Sequence, residues 1–155
     1  MKKPVILIIA LVYILAIVVV GFLGIPARVY NPKTFVTDIS LVFDDKLERI
    51  PPKETDKVEF RYKIFSSGSI NFNITAKPIP NEATNKKIIF EKLDDYESDI
   101  YTFTTETNEN SGYTIASFTC NPLDVGELKC ISLKVRPSDG NKMLYKLIDI
   151  YIGNK

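Results

Sequence analysis

The sequence predicts an all-β fold, a two-sheet sandwich of about eight short strands preceded by one N-terminal transmembrane α-helix. From Val5 to Ile25 (VILIIALVYILAIVVVGFLGI) no side chain is charged in 21 positions. Beyond that run, apolar and polar residues alternate with a period of two, the mark of strands that bury one face. A third observation removes whole function classes: 155 residues carry 20 Lys and Arg, 19 Asp and Glu, and no histidine. Without histidine the chain lacks the usual neutral-pH base, most zinc sites and every Ser-His-Asp or Cys-His arrangement. A near-balanced charge gives no field to neutralise phosphates, so no nucleic acid is expected as partner. The expectation is one domain with appendages, not an enzyme, and without a cofactor.

The apolar run comes first. At ~1.5 Å rise per residue its helix is about as long as a ~30 Å hydrocarbon core is thick. A buried soluble helix keeps a polar stripe, whereas here the one polar side-chain atom is the Tyr13 hydroxyl. The competing reading is a cleaved secretory signal, but Ile25-Pro26-Ala27 is a poor cleavage site, with proline beside the cut and a large isoleucine. Residues 1–4 are therefore expected as a short cytoplasmic N-terminus, 5–25 as the span in contact with the lipid bilayer, and 26–35 as a juxtamembrane segment. Residues 36–155 form the domain. Lys2 and Lys3 with the terminal amine precede the span, and Arg28 and Lys33 follow it. That bias favours a cytoplasmic N-terminus and an extracytoplasmic C-terminal domain in the cell membrane.

Strands follow in order. Ile39, Leu41 and Phe43 open the domain. Val58, Phe60, Tyr62 and Ile64 alternate with Lys57, Glu59, Arg61 and Lys63, and Ile70, Phe72, Ile74 and Ala76 alternate with Asn71, Asn73 and Thr75. Weaker runs lie at Lys87–Glu91, Ile100–Thr105 and Tyr113–Cys120. Ile131, Leu133 and Val135 make a further strand, and Ile148, Ile150 and Ile152 the last. Pro51-Pro52, Ser66-Ser67-Gly68, Asn110-Ser111-Gly112, Asn121-Pro122 and Ser138-Asp139-Gly140-Asn141 punctuate them. Strands apolar on one face need a second sheet to cover it, which makes a sandwich the economical architecture.

NITAKPIPNEATNKKIIFE (Asn73–Glu91) ends one strand in a proline-bearing segment, turns through Asn81, Ala83, Thr84 and Asn85, and resumes at Ile88 and Phe90. It resembles the signature region of bacterial Ig-like domains of group 2. The closing hairpin ISLKVRPSDGNKMLYKLIDIYI (Ile131–Ile152) and the opening strand VTDISL (Val36–Leu41) are similar to that family as well. The resemblance implies an Ig-like β-sandwich at a bacterial cell surface, and a sheet-crossing connection at the proline-rich turn. Three features depart from the family: an extra alternating run at Lys57–Phe65, an acidic stretch after Glu91, and two cysteines near the C-terminus.

Four groups of residues stand out as site candidates. EKLDDYESD (Glu91–Asp99) gathers Asp94, Asp95, Glu97 and Asp99 beside Glu91, hard oxygen ligands suited to Ca²⁺, or else a solvated loop. Cys120 and Cys130 suit a disulfide in an exported domain, closing a hairpin tip and contributing about 3 kcal/mol, or else two buried thiols. Within that tip, Leu123, Asp124 and Val125 are either a clamped turn or a loop presented to a partner. Tyr145, Leu147 and Tyr151 fall opposite Ile148, Ile150 and Ile152, giving either an exposed apolar patch or a second covered face. The expected function is protein–protein interaction or adhesion, with an envelope or surface protein as partner. A glycan of the cell wall or host surface is the alternative, since strand tyrosines stack on sugar rings.

Overall fold

In the computed structural model, residues 3–22, 32–51, 57–93, 100–139 and 143–154 are described. The chain divides into two units, Met1–Pro32 and Lys33–Lys155. In the first, α1 spans Lys3–Phe22. Its described side chains, residues 5, 6 and 8–17, are exposed, Ile6, Ile8, Leu11 and Ile14 among them. Among the described residues no helix is long and apolar enough to cross a membrane. The side chains of residues 1–4 and 18–31, which hold the remainder of the expected span and the first part of the juxtamembrane segment, lie outside the description.

The second unit is a β-sandwich, with nine strands among the described residues: β1 (Asp38–Phe43), β2 (Glu48–Ile50), β3 (Phe60–Phe65), β4 (Ile70–Ile79), β5 (Ile88–Lys92), β6 (Tyr101–Thr107), β7 (Thr114–Cys120), β8 (Leu128–Pro137) and β9 (Lys146–Gly153). One sheet has the order β1-β4-β7-β6 and the other β2-β3-β9-β8-β5. All eight expected runs are strands, and β2 is the addition. Every pairing is antiparallel except β3 with β9, which run parallel. The extra run at Lys57–Phe65 thus supplies β3, which lies between β2 and β9.

Alternation decides what lies inside. In β4, β7, β8 and β9 every second residue is buried, so Phe72, Ile74, Ala116 and Phe118 of one sheet face Ile131, Leu133, Ile148 and Ile150 of the other. Phe72 and Phe118 stack with ring centroids 4.9 Å apart, and Phe103 stacks on Phe118 at 5.2 Å. Burying each such side chain is worth about 1.5–3 kcal/mol, so this layer dominates the stability of the unit.

The proline-rich segment after β4 carries the chain from one sheet to the other, as its resemblance implies. Its polar side chains satisfy the backbone on the way. The Thr34 amide donates to Thr84 Oγ1 (3.1 Å), and the Thr84 amide to the Thr34 carbonyl (2.8 Å). Asn85 Oδ1 accepts from the Lys87 amide (3.1 Å), while its Nδ2 donates to Ser138 Oγ (2.9 Å).

The segment Thr119–Cys130 is not a hairpin. β7 belongs to one sheet and β8 to the other, so the loop between them is a second crossing. No disulfide joins Cys120 to Cys130, and both are thiols. The reason is strand parity: Cys120 shares the inward face of Ala116 and Phe118, whereas Cys130 shares the outward face of Ser132 and Lys134. Sheets stack about 10 Å apart, and a bridge needs Cβ atoms about 4 Å apart. Burial pushes the Cys120 thiol up to about 12.

Asn154 clamps that loop instead. Its Nδ2 donates to the Leu123 carbonyl (2.7 Å), its amide to the Glu127 carbonyl (3.2 Å), and its carbonyl accepts from Gly126 (3.0 Å). Gly126 takes a φ of 83°, a left-handed turn that favours glycine.

Candidate functional site

The outward face of the five-stranded sheet carries the clearest site. Tyr151 stands on it between Lys63 of β3 and Cys130 of β8. Two residues further along β9, Gly153 stands between Phe65 and Leu128. A Cβ at Gly153 would lie 2.7 Å from Phe65 Cε1 and 3.1 Å from Leu128 Cδ1. Both apolar side chains therefore fold over bare backbone, the way an aromatic ring covers a strand glycine. They remain 41% and 56% exposed. With Ile50 of β2, Arg61, Lys63 and Tyr151 they line an open groove of about 340 Å³.

Charged side chains rim the groove and are held in pairs. Lys63 Nζ lies 3.0 Å from Glu48, and Arg61 Nε lies 3.9 Å from Asp149, whose other oxygen accepts from Ser132 Oγ at 2.8 Å. Toward the far edge, Arg136 Nε donates to Glu91 Oε1 at 2.7 Å. That hydrogen bond holds the Glu91 carboxyl below its ordinary value, against a smaller opposing effect of burial. Burial, with Cys130 adding to it, raises the Tyr151 phenol above its ordinary value, so the hydroxyl is neutral at physiological pH. The surface is a mixed one: an apolar floor, a neutral phenol and compensated ion pairs.

The sequence-predicted residues distribute as follows. Tyr151 lies in the groove. Leu123, Asp124 and Val125 occupy the crossing loop, which Asn154 ties down just before Leu128; Leu123 packs against the core while Val125 projects, 82% exposed. Tyr145 and Leu147 precede Tyr151 by six and four residues on the same outward face, at the other end of β9. The patch is therefore split by Asp149. Lys134 Nζ sits 5.0 Å over one face of the Tyr145 ring, which remains 40% exposed. Glu91 is bound to Arg136, and Asp94, Asp95, Glu97 and Asp99 lie outside the described residues. Among the described residues no three acidic, cysteine or histidine side chains gather as a metal site would require.

Sequence reasoning missed Ile50, Phe65 and Leu128. The signal was present for two of them, because Phe65 shares its parity with Arg61 and Lys63, and Leu128 shares its parity with Ser132 and Lys134. An apolar residue at a wet position of a strand marks an exposed patch.

No family model and no curated protein matches the chain. Among solved structures, the chain is similar to the crystal structure of Dpr2 Ig1-Ig2 in complex with DIP-Theta Ig1-Ig3. The identity is 10% and the TM-score 0.43, over 77% of this chain and 33% of that one. This chain thus spans about a third of that neighbour's length. At that level of superposition the likeness carries no argument, and the fold rests on the strand order given above.

Proposed function

We propose that this protein is a membrane-anchored, non-catalytic Ig-like module that binds a protein partner through the outward face of its five-stranded sheet. The observation that carries the proposal is the groove over Gly153, where Phe65 and Leu128 stay exposed with the ion pairs of Lys63 and Arg61 at its rim. Exposed apolar surface rimmed by polar groups suits protein association.

The Ig-like assignment draws on topology. The order β1-β4-β7-β6 follows the A-B-E-D sheet of Ig sandwiches, and β9-β8-β5 follows G-F-C. The similarity to group 2 bacterial domains belongs to the same proposal. Anchoring draws on the uncharged run 5–25 and on the exposed apolar side chains of α1, Ile6, Ile8, Leu11 and Ile14 among them, which suit a nonpolar surrounding. In this reading the N-terminus is cytoplasmic and the sandwich extracytoplasmic, its partner being another envelope or surface protein.

The test is gentle solubilisation of the full-length chain from its native membrane, with Phe65→Glu and Thr104→Glu compared against wild type. A stoichiometric partner that stays with wild type and Thr104→Glu but leaves Phe65→Glu supports the proposal. A chain that comes alone under several mild detergents, or a partner indifferent to Phe65, counts against it.

A further inference from the structure

The opposite outward face, on the four-stranded sheet, has a different chemistry. Asn71 and Asn73 of β4, Ser117 and Thr119 of β7, and Thr102 and Thr104 of β6 are all exposed there. Register sets them in two rows, Asn71 beside Thr119 beside Thr102, and Asn73 beside Ser117 beside Thr104. With strands about 4.8 Å apart, the six form a flat field of hydroxyls and amides without a charged member.

Asn73 begins the triplet Asn73-Ile74-Thr75, an N-glycosylation acceptor pattern. Spacing by two places Asn73 and Thr75 on the same face while Ile74 points into the core, 0% exposed. Among the described residues the Asn73 side chain makes no hydrogen bond; its backbone carbonyl accepts from the Asp44 amide at 3.1 Å. Its direct cross-strand partner Ser117 is short; the longer side chains nearby are Ile115, one step along β7, and Lys46, whose Nζ donates to the Asn71 carbonyl at 2.8 Å and so is engaged at the next row. The surrounding hydroxyls and amides offer hydrogen-bonding partners to the first sugar of an attached chain.

We propose that Asn73 is a covalent glycan attachment site, and that the uncharged field around it is the floor on which the glycan lies. The chemistry is group transfer from a lipid-phosphate-linked oligosaccharide by a membrane oligosaccharyltransferase. A bond forms between Asn73 Nδ2 and the anomeric carbon, the bond from that carbon to the phosphate oxygen breaks, the lipid phosphate leaves, and the amide gives up one proton. Nothing is oxidised or reduced. The inference rests on the extracytoplasmic placement of the sandwich proposed above.

The experiment purifies the full-length chain from its native host and measures the mass of the peptide containing Asn73. In parallel, cells whose outer envelope has been opened while the cytoplasmic membrane stays sealed are treated with external protease to report which side the sandwich occupies. The expected result is hexose and N-acetylhexosamine increments on Asn73, lost in Thr75→Ala and in the near-isosteric Thr75→Val, and kept in Thr75→Ser. An unmodified Asn73 in a protease-accessible sandwich overturns this inference and leaves the placement standing. An unmodified Asn73 in a protected sandwich overturns both.

Discussion

The two outward faces of the sandwich differ although their inward faces are built alike. On the five-stranded sheet, lysines, arginines and carboxylates pair around an apolar groove that Phe65 and Leu128 build over Gly153. On the four-stranded sheet, the exposed positions of the two rows are short and uncharged. Inside, both sheets present the same branched and aromatic side chains at every second residue. Packing therefore requires little of the outward positions, and their chemistry is available to report function. In the proposals above, the groove face takes a protein and the hydroxyl and amide face a sugar.

Removing the shared layer has the largest effect. Phe118 is 1% exposed and stacks with Phe72 and Phe103. Phe118→Ala is expected to cost about 3–5 kcal/mol by denaturant unfolding of the sandwich unit. A cost near 1 kcal/mol would mean the two sheets are less closely packed than described.

Asn154 comes next, because its side chain holds the crossing loop against the groove end. Asn154→Ala leaves the Leu123 carbonyl without its donor, at a cost of about 1–3 kcal/mol. The loop should then show faster amide exchange at Gly126 and Glu127. Unchanged exchange would show that the backbone bonds alone set the loop.

A smaller effect is expected from acid. Glu91 titrates below its ordinary value in the folded state because Arg136 bonds it, so the pair contributes stability above the usual carboxylate range. That contribution is lost as the pH falls through the depressed folded value. Unfolding measured from pH 6 downward should show a shallow loss that Arg136→Met reduces, the rest coming from Glu127, which Lys129 holds low in the same way; both side chains of the Glu91–Arg136 pair are about a third exposed, and solvent screens it.

The smallest expected effect concerns the thiols. A reducing agent should leave the melting temperature unchanged, since no bridge exists to break. A maleimide at neutral pH should reach the outward, half-buried Cys130 in the native state and Cys120 only after denaturation, given a thiol at 0% exposure pushed up to about 12. A reductant-sensitive melting temperature would restore the disulfide.

Much of this architecture can be read from residue alternation, and the failures share one cause. Period-two patterning locates β1 and β3 to β9, since each buries one face. Three residues, Glu48-Arg49-Ile50, are too short to show a period, so β2 escapes. Alternation assigns faces but not partners, so it neither pairs β3 in parallel with β9 nor sends β7 and β8 to different sheets. The disulfide expectation fails for that reason: ten residues separate Cys120 from Cys130 along the chain, yet one is in step with Phe118 and the other with Ser132 and Lys134. Tyr151 is visible as an outward residue, whereas the groove needs Ile50, Phe65 and Leu128 from three other strands, and only register assembles them.

Site-specific photo-crosslinking in the native membrane tests the central claim most directly, with a photoreactive side chain placed at Leu128 in one variant and at Thr104 in another. The account predicts one discrete protein adduct from position 128 and none from position 104. No adduct at 128, or the same adducts from both faces, would contradict the assignment of the groove as the partner-binding surface.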